Sequence, residues 1–160
     1  MEKRNILFVM SSLRNGGAER SLVNLLQLLD YDRYNVDLLL FQNEGMFLKQ
    51  VPKEVNIISN CNKLYTLYDN NKTEALKHPY LSVVHMIGTF ISRKKTNSVA
   101  KSRQYRWEHF YKKIIPELTK EYDVAIAYMQ REQTYFLVDK VKATKKIAWV
   151  HNEYSQLGHF

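Results

Sequence analysis

Two places in the sequence join reactive or ligand-binding residue types to a backbone able to present them. The first is Asn15-Gly16-Gly17-Ala18, which follows the apolar run Ile6-Leu7-Phe8-Val9-Met10 and precedes Glu19-Arg20-Ser21-Leu22. Glycines there let a backbone approach a ligand closely, and the amides of a following helix N-terminus attract anions such as phosphate. The same two glycines also serve a plain strand-to-helix turn. The second place is His151, directly after the apolar run ending in Trp149-Val150. An imidazole at that point can move a proton near neutral pH or hydrogen-bond a sugar hydroxyl or a phosphate, and it can equally be a loop histidine tied to the backbone. Arg14 and Asn152, beside the glycines and the histidine, complete a candidate substrate-binding set.

Several chemistries lack their residues. There is no G-x-G-x-x-G, and no lysine followed by a hydroxyl residue as in a P-loop, which removes the usual support for nucleotide kinases and dehydrogenases. His85 and His109 fall within helical segments, His78 precedes a proline and His159 is near the terminus, so each reads as structural or solvated. No pair of them has metal-ligand spacing with a third ligand, and no metal is assigned. A lone cysteine, Cys61, cannot form an intrachain disulfide, in keeping with a reducing compartment, and a catalytic thiol would need a positioned base.

Charge is concentrated in one segment. Between Asn71 and Lys113 lie ten basic residues and only Glu74 and Glu108, a surplus that equals the chain's entire net charge of +8. An anionic partner should therefore meet this segment. Its exposed candidates are Arg93, Lys94, Lys95, Lys101, Arg103 and Arg106, interleaved with Tyr105, Trp107, Phe110 and Tyr111. The helical spacing of the aromatics turns most of them to the core, leaving a solvated basic face or an anionic membrane surface as the main readings. Nucleic acid is disfavoured, since no base-stacking platform accompanies the charge.

The elements that must position these residues alternate. Ile6–Met10 reads as a buried strand, and Leu22, Val23, Leu25, Leu26 and Leu29 form the apolar stripe of a helix. Asn35–Phe41 and Val55–Ile58 read as further strands, with a loop or weak helix over Asn60–Lys72. Pro79–Ile91 reads as a helix that ends in Ser92-Arg93-Lys94-Lys95, where cations suit a helix C-terminus, and Trp107, Phe110, Tyr111, Ile114, Ile115 and Leu118 as an amphipathic helix that Pro116 should kink or end. Tyr122–Met129 is a strand, Glu132–Val141 a short helix, and Lys146–Val150 a last strand. This alternation predicts one α/β domain with a mostly parallel sheet, whose ligands gather beyond the carboxyl ends of the strands. No run approaches the twenty apolar residues of a membrane span and no signal peptide is visible, which makes the cytoplasm the expected compartment.

Lys3-Arg4-Asn5-Ile6-Leu7-Phe8-Val9-Met10-Ser11-Ser12-Leu13 leading to Gly16-Gly17-Ala18-Glu19-Arg20, with Tyr122–Ala127 and Trp149-Val150-His151, resembles the N-terminal half of family 4 glycosyltransferases. The resemblance covers essentially the whole chain. It implies a Rossmann-like open sheet with helices on both faces, one half of a GT-B fold, holding the acceptor side of a retaining transfer from a nucleotide-sugar to a polysaccharide or lipid-linked acceptor. Gly16 and Gly17 would line the cleft, and His151 would contact the transferred sugar or acceptor as the catalytic residue. No cofactor or metal is implied, the nucleotide-sugar being a substrate. The resemblance further implies that the final strands and a C-terminal donor-binding domain lie beyond Phe160, so that these 160 residues alone would not transfer sugar. A basic N-terminal domain of this kind would sit peripherally on the inner face of a membrane, and an open sheet edge could pair in a homodimer. The expectation from another class is a non-catalytic α/β binding module that uses its basic face for a membrane or a partner protein.

Overall fold

The computed structural model describes residues 2–58, Leu67 and residues 78–151, so the Asn60–Lys72 connection apart from Leu67, together with Cys61, Asn152 and His159, lies outside the described residues. In chain order the elements are β1 (Arg4–Met10), α1 (Gly17–Gln27), β2 (Tyr34–Leu40), a 3₁₀ turn (Leu48–Gln50), β3 (Asn56–Ile58), α2 (Pro79–Lys95), α3 (Val99–Arg106), a π-helical turn (Trp107–Tyr111), α4 (Lys112–Ile114), β4 (Glu121–Ala127), α5 (Glu132–Lys140) and β5 (Lys142–Ala148). They fall into two compact units, one holding the sheet within Met1–Asn60 and Glu117–His151, the other built from α2 through α4.

The first unit is an all-parallel, five-stranded sheet in the order β3-β2-β1-β4-β5, a Rossmann-like open sheet. Phe8 and Met10 of β1, with Val36, Leu38 and Leu40 of β2, share one buried cluster with Leu22, Val23 and Leu26 of α1. The alternate residues Leu7, Val9, Leu39, Ala125 and Ala127 are fully buried as well, as a parallel sheet covered on both faces requires. β1 to β2 and β4 to β5 step in opposite directions along the sheet, so right-handed crossovers set α1 and α5 on opposite faces. Phe136 of α5 packs edge-on against Phe41 at 5.8 Å between ring centroids.

Most strand boundaries follow the apolar runs to within one or two residues. β5 is the exception. It begins at Lys142 rather than Lys146 and ends at Ala148, with Trp149 and Val150 exposed beyond it. Its Lys142, Thr144, Lys145 and Lys146 are exposed, a composition that suits a sheet edge and hides the strand from a hydrophobicity reading.

One polar group is buried inside the sheet. Asp37 on β2 accepts hydrogen bonds from Tyr122 Oη (2.7 Å), Lys120 Nζ (2.9 Å) and Asn56 Nδ2 (3.0 Å). Burial alone would raise its carboxyl, but these three donors and the ammonium charge hold it below the usual carboxylate range. The Tyr122 phenol is pushed above the tyrosine range by burial and by the carboxylate it serves.

In the second unit the amphipathic stretch from Trp107 is not one helix. A π-helical turn spans Trp107–Tyr111 and helical structure stops at Ile114, two residues short of Pro116, which cannot supply an amide to continue it. Trp107, Tyr111 and Ile115 are buried as their spacing indicates. α2 ends at Lys95, with Arg93, Lys94 and Lys95 in its last turn as the sequence indicates. It is pinned to α3 and the π turn by Ser102 Oγ donating to Ser92 Oγ (2.8 Å), by Arg106 Nη1 donating to Thr89 Oγ1 (3.0 Å) and by His85 Nδ1 lying 3.0 Å from Tyr111 Oη.

Removing Asp37 strands three donors, so Asp37→Ala should cost about 3 kcal/mol at pH 7, measured by urea unfolding. The folded carboxyl titrates below the value of about 3.9 of an unfolded chain, so this contribution is complete at neutral pH and is lost as pH falls below about 4 and through the folded pKa. The stability gap between wild type and Asp37→Ala should therefore narrow from pH 7 to pH 3.

Candidate functional site

In an open parallel sheet the crevice forms where neighbouring strands send their crossovers in opposite directions. Here that point lies between β1 and β4 at their carboxyl ends. The loop after β1 carries Gly16 and Gly17, and the loop after β4 runs Tyr128-Met129-Gln130-Arg131. His151 lies three residues past Ala148, which pairs with Ala127 of β4. The glycine loop and the imidazole, well over a hundred residues apart in sequence, thus stand at the same rim.

Backbone hydrogen bonds fix the loop after β1. Gln42 N donates to Ser11 O (2.7 Å), Leu13 N to Glu44 O (3.0 Å) and Phe47 N to Leu13 O (3.1 Å), lacing it to the loop after β2. Gly45 makes this possible. Its φ of +130° is closed to side-chain-bearing residues, and a Cβ there would run into the Leu13 carbonyl. Sequence reading passed over Gly45, although a glycine shortly after a strand is the usual mark of such a turn.

Gly16 is the N-cap of α1, and its carbonyl accepts from Arg20 N at 3.1 Å. A Cβ on Gly16 would meet the Glu19 carboxylate, whereas one on Gly17 would meet nothing. The helix end is thus open at Gly17 and already faced by an acid in its first turn, which complements the helix dipole. Arg14 forms an exposed ion pair with Glu44, its Nε donating to Oε1 at 2.8 Å.

Tyr128 is the hub of the rim. Its amide donates to Val9 O (2.9 Å), its hydroxyl lies 3.0 Å from Ser21 Oγ of α1, and its ring packs on Phe8, Trp149 and His151, the last at 4.9 Å between centroids. Trp149 and His151 lie nearly parallel. His151 Nε2 and Gln130 Oε1 are shut off from solvent without a hydrogen-bond partner among the described residues. Each lies three residues past its strand, beyond the Ala127 and Ala148 pair. Buried polar atoms are almost always paired, so two orphans at one rim mark a place built for donors and acceptors from elsewhere.

Beside them Arg131 holds φ 81° and ψ −120° while capping α5, with its carbonyl accepting from Thr134 N and Tyr135 N. Such a conformation costs a non-glycine residue about 1 to 3 kcal/mol and persists only where its surroundings demand it. Tyr128, Gln130 and Arg131 carry no sequence signal of their own, since strain and orphaned atoms exist only in three dimensions.

The basic candidates belong to the second unit. Arg93, Lys94, Lys95 and Lys101 are exposed, Arg103 is half-buried, and Arg106 turns inward to Thr89 with its Nε buried. No group of three His, Cys, Asp or Glu side chains placed to hold a metal occurs among the described residues.

The two special backbone positions should respond oppositely to substitution. Gly45→Ala should lower stability by at least about 2 kcal/mol, and Arg131→Gly should raise it by about 1 kcal/mol, both read from thermal unfolding. No protein-family model and no curated protein sequence matches the chain.

Proposed function

We propose that the chain is the acceptor-side domain of a retaining, nucleotide-sugar-dependent glycosyltransferase, with its sugar site at the carboxyl rim between β1 and β4. The observation that carries this reading is that two orphaned polar atoms, His151 Nε2 and Gln130 Oε1, each follow a strand ending at the rim that also holds the open Gly17 helix end. A sugar presents hydroxyls that both donate and accept, and would satisfy both atoms at once. The Glu19 carboxylate beside Gly16 favours hydroxyls over a diphosphate at this end of α1, because two anions in one first turn repel. Exposed Trp149, in contact with Tyr128, offers a ring face for the apolar side of a pyranose. In transfer, the bond from the anomeric carbon to the diphosphate oxygen breaks, the acceptor oxygen bonds to that carbon, and the acceptor proton leaves with the diphosphate. His151 would hold the hydroxyls in line for that exchange.

A non-catalytic module acting through its basic unit is the second reading, favoured by the concentration of the whole +8 charge in one segment. The two readings separate on one titration. Uridine diphosphate glucose and a short-chain polyprenyl diphosphate sugar are added to the labelled chain while amide resonances are followed. Shifts at Gly17, Gln130 and His151 are expected, lost in Gly17→Trp and weakened about tenfold in His151→Ala. Gly17→Trp fills open space, so its fold should survive. Shifts confined to the basic unit, or equal in the variants, would overturn the sugar site.

A further inference from the structure

Taking the carboxyl rim as the sugar site, we propose that Tyr128 is its positioning residue. The Tyr128 ring sets the plane of the His151 imidazole, and the Tyr128 hydroxyl ties that imidazole to the glycine end of α1.

Little else holds the stretch that carries His151. Trp149 N donates to Ala127 O at 2.9 Å, and among the described residues this is the last backbone hydrogen bond before His151. Beyond it the imidazole rests on rings. Its centroid lies 4.9 Å from that of Tyr128, tilted by 46°, and 6.1 Å from that of Trp149, inclined by 11°. Tyr128 also meets Trp149 at 5.1 Å, so one ring is wedged against both.

Ring contacts fix the plane of an imidazole through shape and charge distribution, and they use neither of its nitrogens. His151 has that condition: its Nε2 is shut off from solvent and has no hydrogen-bond partner among the described residues. A carboxylate or carbonyl bound to the ring would instead fix its tautomer and consume part of its bonding capacity. Held by rings, the imidazole keeps Nε2 able to meet a sugar hydroxyl either as donor or as acceptor.

Tyr128 is itself anchored from two sides. It is buried, its amide donates to Val9 O of β1 at 2.9 Å, and its ring packs edge-on against Phe8 at 6.2 Å between centroids. For packing alone a phenylalanine would serve. The added hydroxyl lies 3.0 Å from Ser21 Oγ on α1. Ser21 is exposed and could be hydrated without this bond, so it is the phenol that depends on the serine. Gly17 and Ser21 are four residues apart and therefore lie one above the other on the same side of α1. A single hydroxyl-to-hydroxyl bond thus joins the helix end at the rim to the ring beneath His151.

Heteronuclear NMR of the full 160-residue chain, free and titrated with uridine diphosphate glucose, tests this in Tyr128→Phe, Ser21→Ala, the double variant and Ser21→Thr. Tyr128→Phe keeps the ring and Ser21 is exposed, so all four should fold. In the free chain, Tyr128→Phe and Ser21→Ala should move the His151 ring and Trp149 indole resonances in the same direction, while Ser21→Thr, which keeps the hydroxyl, leaves them near wild type. A tyrosine that serves stability alone would lower the unfolding midpoint and leave those resonances in place. With ligand, each single variant should bind about fivefold more weakly and the double variant no more weakly than either, because both remove the same bond. Unmoved His151 and Trp149 resonances in the free variants, additive losses in the double variant, or Ser21→Thr behaving as Ser21→Ala would defeat the proposal. The expected movements in the free chain, with no binding of the sugar nucleotide by wild type, would support Tyr128 as the residue that positions His151 and count against the sugar site alone.

Discussion

The constraint on which the first unit depends is the placement of β1 in the middle of the sheet, paired in parallel with β2 on one side and β4 on the other. Parallel neighbours require crossovers, and crossovers of one hand leaving in opposite directions cannot cover the same face. This geometry buries β1 on both faces, which its run of Ile, Leu, Phe, Val and Met permits. It also parts the loops after β1 and β4 and leaves a crevice at the carboxyl rim. The glycine loop, Tyr128 and His151 stand at that rim because parallel strands all end on the same side.

Polar groups in the sheet unit are distributed unevenly along the strand direction. Within the sheet, Asp37 has three donors, Asn5 N donates to Asp123 Oδ2 at 2.7 Å, and Asn35 Nδ2 to Asn5 Oδ1 at 3.1 Å. Asp37 is buried and acts as structure, since a buried carboxylate without donors would cost several kcal/mol (on the order of 3), while the Asn5, Asn35 and Asp123 bonds are exposed. At the carboxyl rim the pattern inverts, with orphaned atoms on Gln130 and His151 and a strained backbone at Arg131. Folding has no use for either feature, so their coincidence at the crevice is what separates a binding edge from the structural half of the sheet.

What the sequence exposed and what it hid follow from where the signal resides. β1, β2 and β4 are legible because strands buried on both faces must be continuously apolar. The shared rim of Gly16-Gly17 and His151 was likewise legible, because a parallel sheet sends every strand-end loop to the same side. β5 was misplaced at its start because its exposed lysines carry no apolar pattern, its position being set by pairing with β4 through Ala143 and Ile147. The stretch after Trp107 had the right buried residues on an interrupted helix. Its period drifts because the π turn adds a residue, which lets Trp107, Tyr111 and Ile115 all remain inside.

α2 illustrates a deeper limit of pattern reading. Apolar periodicity tells a helix from a loop, but it assigns the buried face by size and hydrophobicity, which here would turn Phe90, Met86 and Tyr80 inward. The fold instead buries Leu81, Gly88 and Ser92 of α2, because the small side chains allow close backbone approach and the Ser92 hydroxyl is paired with Ser102 of α3 in the dry contact. Close packing of small residues against Phe110 outweighs the transfer of larger ones, since turning α2 over would unpair Ser102 and strand Arg106 as well. A helix oriented in this way carries Tyr80, Met86 and Phe90 on its exposed side.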